Sequence, residues 1–398
     1  MTAALLAAGQ GAEVTLFERN DRLGKKLLST GNGKCNLGNR DFGPEKYCTG
    51  SPELLPKYLG RFGTEDTVAF FHGLGLLIKD KNGYLYPVSE QASSVLDVLR
   101  FAVDRQERIS VKYRCRIDKI ERDKKSGGIR LFQGEETFCF DRVILACGGK
   151  AAPKTGSDGS GYQLARMLGH SLVPVVPALV QLKCREDWLK SIAGVRADAE
   201  ITLFQGDRRI ASERGELQLT DYGISGIPVF QLSRKAGYIL REQDEAEIRI
   251  DFLPDFEREG FEERLLKDRR PVEAGSSLEE YFTGVLNKKL MNLFIRLAGL
   301  KPAEKACSAD RKRVARAYRL CRELSVHVYA ANSFDNAQVC AGGVPLGEIT
   351  DRLESKKAPG VFFAGELLDV DGRCGGYNLQ WAWGSGYLAG MYAAGGED

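Results

Sequence analysis

Histidine is almost absent from this chain, with three residues in 398: His72, His170 and His327. None lies near another in sequence, which makes a histidine-based metal centre improbable. The ten cysteines are dispersed and contain no C-x-x-C pair. That argues against a zinc site and against a disulfide framework, and favours reduced thiols in a cytoplasm. No apolar run approaches the ~18 residues of a membrane helix. The opening MTAALLAAGQ lacks the basic stretch of a signal peptide. An excess of one charge is missing too: 57 Lys+Arg face 54 Asp+Glu, a net +3. An electrostatically driven nucleic-acid binder would carry a basic patch or tail, so no nucleic-acid partner is expected. What the chain has is ordinary apolar content (43%) and 45 glycines, clustered in a few places. The length suits two or three domains with a core large enough to enclose a small molecule.

A G-x-G-x-x-G turn is also missing, and that matters because the second half of its usual unit is present. Residues 3–10 suit a short helix, and 13–18 (EVTLFE) suit a buried strand ending in an acid. A helix followed by such a strand is the latter part of a dinucleotide-binding βαβ unit, in which the acid, here Glu18, accepts from a ribose hydroxyl. A solvated strand-end acid is the plainer alternative for Glu18. Met1 stands where the helix should already have begun. Either the start lies downstream of the true one or the chain is a truncated variant, and the first is the preferred reading.

Helical spacing predicts a helix over 92–106, with Val95, Leu96, Leu99, Ala102 and Val103 on one face. Alternation over 109–145 predicts a β-meander returning into a main-sheet strand, RVILACGG. Another helix is predicted over 159–169, and LVPVVPAL (172–179) reads as a crossing between domains. From about 180 to 335, strand-like segments precede helical ones near 258–268, 277–298 and 308–323, an order that suggests an inserted α+β domain. The last sixty residues return to strand, glycine-rich loop and helix.

Several segments carry chemistry. Lys25 and Lys26 stand beside a loop with Gly31, Asn32 and Gly33, where glycines admit positive φ and lysines neutralise phosphate. A surface loop after a charged helix is the bland alternative. Gly148-Gly149 and TGSDGSGYQLA (155–165) would let backbone pass close to an anion or simply make tight turns. In residues 360–390, Glu366 ends a buried strand. Asp369, Asp371 and Gly375-Gly376 precede a helix starting near Asn378, whose free amides suit a flavin's N1–C2=O edge. Asp369 and Asp371 share one connector, which does not suit a glycosidase pair. Cys35 and Cys374 are a conceivable redox pair, with inert buried thiols the commoner case.

The segments VTLFERNDRLGKKLLSTGNGKCN, ILACGG, LTDYGISGIPVFQLS, AQVCAGGVPLGEI and FAGELLDVDGRCGGYNLQWAWGSG together resemble the BaiN/YhiN-type NAD(P)/FAD-dependent oxidoreductases, the bacterial aminoacetone oxidase family of FAD-binding enzymes. The resemblance runs the length of the chain. It implies an α/β fold of the two-dinucleotide-binding-domain flavoprotein type, Rossmann-like. The FAD-binding domain would comprise 1–178 and 336–398, with an α+β domain, part β-barrel and part helical, inserted at 179–335.

By position it implies that Glu18 binds the adenosine ribose and that Arg19, Lys25 and Lys26 lie along the nucleotide. Gly31, Asn32, Gly33, Lys34, Cys35 and Asn36 would pass near the flavin, and Ile117 would offer backbone contacts to adenine. Cys147, Gly148 and Gly149 would pack against the nucleotide, Gly365 and Glu366 would meet the ribityl chain, and Gly376, Tyr377, Asn378 and Leu379 would meet the ring. Asp371 joins the cofactor-binding set. Beyond the missing glycine turn, the departures are Cys147 for Thr, Lys34 for Arg and Trp383 for Phe.

The implied activity is hydride transfer from transiently docked NAD(P)H through FAD to a small organic acceptor, as in the family's steroid-like enone reduction, with O₂ as a variant acceptor. No catalytic residue is assigned. Tyr377 and Cys35 are near-flavin candidates only. Two other classes stay open. One is a flavin-dependent RNA-modifying protein, since such flavoproteins share the fold and DRKRVARAYRLCR (310–322) is basic. The other is an inactive truncated flavoprotein.

Overall fold

A computed structural model describes residues 1–123, 127–243, 245–263 and 275–397. The chain forms two compact units, one of 1–177 with 334–398 and one of 178–333.

In the first unit, the opening helix Thr2–Gly9 leads into the strand Val14–Glu18, which pairs in parallel with Ile109–Tyr113. The residues ISVKY therefore belong to a parallel pair, not to the meander that alternation suggests. The meander proper is antiparallel and holds Lys119–Arg122, Ile129–Gln133 and Glu136–Phe140. Of the turn KKSGG, residues 124–126 lie outside the described residues. The helix Ala92–Arg105 buries Ala92, Val95, Leu96, Leu99 and Val103, a stripe at the three-to-four spacing of one helical face. Val143–Leu145 pairs in parallel with Val361–Phe363, although more than two hundred residues separate them in sequence. The Pro-containing segment is itself a strand, Val173–Ala178, joined to Val339–Gly343. The C-terminal helix Tyr377–Ala393 is apolar on most sides and correspondingly buried, from Trp381 and Trp383 to Leu388 and Tyr392.

The second unit is built on a closed six-stranded antiparallel barrel. Its order is Leu182–Cys184, Gly223–Gly226, Arg208–Leu219, Arg196–Gln205, Ala246–Asp251 and Leu324–Ala331, which returns to the first. Alternate residues face inward: Ala199, Ile201 and Leu203 are fully buried, as are Ile248 and Ile250. RRIAS and GELQLT are one long strand. The order is not strands and then helices, because the helix Ile227–Glu242 interrupts the strands and Leu324–Ala331 follows the helices. The stretch 277–298 is two helices, Leu278–Phe282 and Lys288–Leu297, and 308–323 contains Arg311–Leu320. Of the helix expected at 258–268, residues 264–268 lie outside the described residues. Arg322, itself buried, pairs with the buried Asp251 at 2.8 Å.

A buried polar cluster braces the strand Val361–Phe363. His170 Nδ1 lies 2.8 Å from Glu348 Oε2, its Nε2 lies 2.7 Å from Ser355 Oγ, and its ring meets Phe363 edge-on at 4.9 Å. Burial works against the charge of Glu348, but Lys357, Ser171 and His170 hold its carboxyl down to about 2. An ionised carboxylate only accepts, so Nδ1 carries the imidazole proton and Nε2 accepts from the Ser355 hydroxyl. The Ser355 oxygen in turn accepts from the N–H of Ala358 and Lys357. Burial, opposed by Glu348, keeps His170 below its usual pKa.

The sign of the pH dependence follows. As pH falls, the unfolded chain takes up this proton near pH 6.5, before the folded one does, so stability declines from that pH towards the lowered folded value. Denaturant titrations should show this decline setting in as pH falls through about 6.5, and His170→Gln should flatten it. An unchanged slope in the variant would show that His170 does not carry it.

Candidate functional site

The two parallel strands Val143–Leu145 and Val361–Phe363 end on the same side and deliver two short loops there, as open α/β sheets do at their ligand sites. One loop carries Cys147, Gly148 and Gly149, and the other carries Gly365 and Glu366. A single carboxylate joins them. Glu366 Oε1 accepts from the Cys340 N–H at 2.6 Å, while Oε2 accepts from Lys26 Nζ at 2.9 Å and from the Gly149 N–H at 3.4 Å. Lys26 Nζ also donates to the Ala151 carbonyl. The Lys26 and Glu366 side chains are mostly shielded, at 28% and 17% exposure, so the pair is stronger than a surface ion pair. Lys26 and Glu366 thus face each other.

Gly149 has no room for a side chain. A Cβ there would lie 2.9 Å from Tyr162 Oη, 3.0 Å from Glu366 Cδ and 3.2 Å from Cys340 Sγ. Cys147 is open to solvent yet walled in by the surrounding fold, which pushes its thiol up to about 11.

At the end of the opening strand, Glu18 Oε1 accepts from both the backbone N–H and the side-chain amide of Asn20, each at 2.8 Å. Its other oxygen accepts no hydrogen bond among the described residues. Arg19 pairs with Asp158, and Arg116 lies 3.9 Å from the same carboxylate. Burial opposes the charge of Asp158, but hydrogen bonds from Ser160 and Arg19 hold it down to about 2. Lys25 is engaged by Asp21 at 2.7 Å. Ile117 is half-buried against the core, in the connection between Tyr113 and Lys119.

The GNGKCN loop is conformationally unusual. Gly31, Asn32, Gly33 and Cys35 all have positive φ, of 54°, 53°, 81° and 57°. Two of these four are not glycine, and such strain persists where surrounding structure enforces it, commonly at functional sites. Lys34 reaches Glu90, which Lys79 also holds. Cys35 is fully buried and its thiol is pushed up to about 12. Cys374, half-buried, is pushed up to about 11. Both are protonated at neutral pH, which disfavours a thiolate role.

Asn36 is buried, and its Oδ1 has no hydrogen-bond partner among the described residues. It packs on Gly376, where a Cβ would sit 2.7 Å from that oxygen. Gly376 (φ 96°) begins the C-terminal helix, and no side chain caps it. The Tyr377 hydroxyl donates to the Asp41 carbonyl, and its ring meets Tyr47 edge-on at 5.9 Å. Asn378 braces the preceding turn through both Gly372 backbone groups at 2.8 Å. Asp371 is buried in the short strand that pairs with Tyr47–Cys48, and Leu379 packs partly on the core. The same helix fixes the Glu366 loop, because Ser385 Oγ accepts from the Gly365 N–H and Trp381 Nε1 donates to the Gly365 carbonyl.

Asn20, Asp158 and Cys340 are partners that sequence patterns do not single out. Asp158 and Cys340 sit inside glycine-containing motifs, but nothing local marks their contacts with Arg19 or Glu366, which are far away in sequence.

A family model described as the HI0933-like protein Rossmann domain matches residues 1–392. The chain belongs to the HI0933-like family. The motif resemblance and the Rossmann-type fold class are thereby borne out. This HI0933-like chain is 45% identical over 391 residues, 96% of itself and 93% of the relative, to a 3-dehydro-bile acid delta(4,6)-reductase of Clostridium scindens. It is 28% identical over 392 residues, 97% of itself and 93% of the relative, to a ribosomal RNA dihydrouridine synthase of Escherichia coli. A protein of the same description from Haemophilus influenzae matches at 28% over 387 residues, 96% of this chain and 92% of that one.

Removing the Glu366 carboxylate would strand the Lys26 ammonium and two backbone donors. Hydrogen bonds to charged groups contribute about 1.5–3 kcal/mol each. Glu366→Ala should therefore lower the unfolding free energy by at least about 2 kcal/mol, and Glu366→Gln, which keeps an acceptor, by less. Denaturant unfolding of the two variants measures this, and equal, negligible losses would contradict it.

Proposed function

We propose that this chain is an FAD-dependent reductase that saturates a carbon–carbon double bond conjugated to a carbonyl in a small organic molecule, with NAD(P)H as the electron donor. Its membership of the HI0933-like family and its reductase relative support the oxidoreductase class. The observation that carries the substrate class is 45% identity along 96% of the chain to an enzyme named for reducing a 3-dehydro-bile acid.

The residues present fit much of FAD. Glu18 has one carboxylate oxygen that takes no donor among the described residues, and the start of the C-terminal helix carries no side-chain cap. The pyrophosphate has no G-x-G-x-x-G turn in these 398 residues. Bound FAD supplies two-electron hydride chemistry. The chain's own contribution is to orient and tune. Glu18 and Asn20 hold the ribose end. Glu366, fixed by Lys26 and by Trp381 and Ser385 through Gly365, sets the ribityl side. The strained Gly31–Asn36 loop and the helix start at Gly376 hold the ring side, where a partial positive charge favours developing negative charge. No side chain is assigned as the proton donor. Residues 1–178 and 336–398 are taken as the cofactor domain, and 179–335 as the substrate domain.

A second reading has one specific observation behind it, the 28% identity to ribosomal RNA dihydrouridine synthases along nearly the whole chain. Dihydrouridine is uridine with its ring double bond saturated, and that bond is also conjugated to a carbonyl. Both relatives' names thus describe one reaction class on different substrates. The balanced net charge and the higher identity favour the small molecule. Among the described residues no helix is long and apolar enough to cross a membrane. The cytoplasm is the proposed compartment.

The test is anaerobic turnover of the FAD-loaded full chain with NADH or NADPH, offered a 3-oxo-4,6-diene steroid acid or unmodified ribosomal RNA. Loss of the conjugated dienone absorbance with stoichiometric oxidation of the nucleotide is expected. Dihydrouridine formation without dienone loss would move the assignment to RNA, and neither reaction would overturn it.

A further inference from the structure

The proposed chemistry makes no use of the buried cluster around His170, and the hydrogen bonds of that cluster fit one protonation state of the ring. Ser355 is 2% exposed, and its hydroxyl is fully occupied. The oxygen accepts from the N–H of Ala358 at 2.8 Å and of Lys357 at 3.1 Å, which takes both lone pairs. Its proton goes to His170 Nε2 at 2.7 Å. At the other end of the ring, Nδ1–H donates to Glu348 Oε2 at 2.8 Å. Glu348 is held in turn by the Ser171 hydroxyl and by Lys357 Nζ, which also donates to the Gly169 carbonyl. Glu348 and Lys357 are the charged groups that bear on the ring, and the aromatic face beside it, Phe363, carries no charge.

A proton added at Nε2 leaves the Glu348 end unchanged, because Nδ1–H donates in both forms of the ring. At the Ser355 end it sets two donors against each other. Turning the hydroxyl proton away does not resolve the conflict, since backbone N–H groups already hold both lone pairs. Either Ala358 or Lys357 must release the oxygen, or a charged N–H stays buried without an acceptor, which is the more unfavourable outcome. The turn so disturbed brackets a strand of the candidate site. The Ala358 carbonyl accepts from the Val361 N–H, the Ser355 N–H donates to the Val361 carbonyl at 2.7 Å, and the Phe363 N–H donates to the Leu353 carbonyl at 3.0 Å. Strand Val361–Phe363 then ends two residues before Gly365, with Glu366 next. We propose that His170 is a proton-operated switch on the loop that carries Glu366. With Nε2 free, the turn Ser355–Ala358 is clamped and the loop is fixed. With Nε2 protonated, the clamp opens and the loop shifts. His170 acts here as a positioning residue, through Ser355 and the strand. Burial, which outweighs the pull of Glu348, sets the switch to act on the acid side of pH 6.5.

Trp381 reports on the loop, because its Nε1 donates to the Gly365 carbonyl at 3.1 Å. The chain has three histidines and three tryptophans, so both ends of the switch can be followed in the full chain without cofactor. The experiment records histidine ring-proton and fluorotryptophan resonances by NMR as pH is lowered. Below about pH 6.5 His170 should titrate, and the Trp381 resonance should move with the same midpoint. Trp188, in the second unit, should stay in place, which separates the switch from general acid unfolding. His170→Gln should abolish the Trp381 shift. Ser355→Ala removes the opposing hydroxyl, so His170 should still titrate while the Trp381 shift disappears. A Trp381 resonance that stays put while wild-type His170 titrates overturns the proposal, as does a His170 that takes up no proton before the chain unfolds. A Trp381 shift that survives either substitution overturns it too. The wild-type comparison decides even if a variant fails to fold, and none of these outcomes bears on the flavin reading.

Discussion

One carboxylate holds the candidate site together. Glu366 sits at the meeting point of segments separated by up to 340 residues: Lys26 after the opening strand, Gly149 after a central strand, and Cys340 on a strand near the C terminus. A charged group held this far from solvent is tolerated only when it is paired and hydrogen-bonded, so each partner constrains the others. Gly149 is glycine because this convergence leaves no space for a side chain. The C-terminal helix is locked to the same loop by Trp381 and Ser385, and its free N-terminus is the place where Asn36 arrives. The loops proposed to hold the cofactor come from distant parts of the chain and are tied to one frame, as orientation-dependent hydride chemistry requires.

Much of this fold is legible in the amino-acid sequence alone. The helix Ala92–Arg105 announces itself by spacing, and the strand Val14–Glu18 by an apolar run closed with an acid. The α/β class and the barrel-bearing second unit follow from motif resemblance more than from periodicity. Local patterning fails where pairing is non-local. Ile109–Tyr113 alternates like a meander strand, but it lies parallel to a strand ninety-five residues earlier in register. The prolines of Val173–Ala178 read as a linker, although a strand tolerates them where the ladder does not need their N–H.

The site is legible in its positions and less so in its partnerships. Glycine-rich loops and strand-end acids stand out in sequence because they need special backbone or burial. Which acid takes which base does not stand out, because a long side chain can choose among many. Arg19 and Lys25 are engaged by Asp158 and Asp21, and Lys26 by Glu366. Tyr377, a candidate beside the ring, spends its hydroxyl on Asp41. Resemblance alone places Asn36 near the cofactor; its burial against Gly376 has no local mark in the sequence.

The central claim is that this framework holds a flavin. The most direct measurement is the visible absorption spectrum of the full chain, purified after incubation with FAD and freed of excess cofactor. The account predicts a flavin spectrum with close to one FAD per chain, released on denaturation. A colourless protein that is folded by circular dichroism would contradict it.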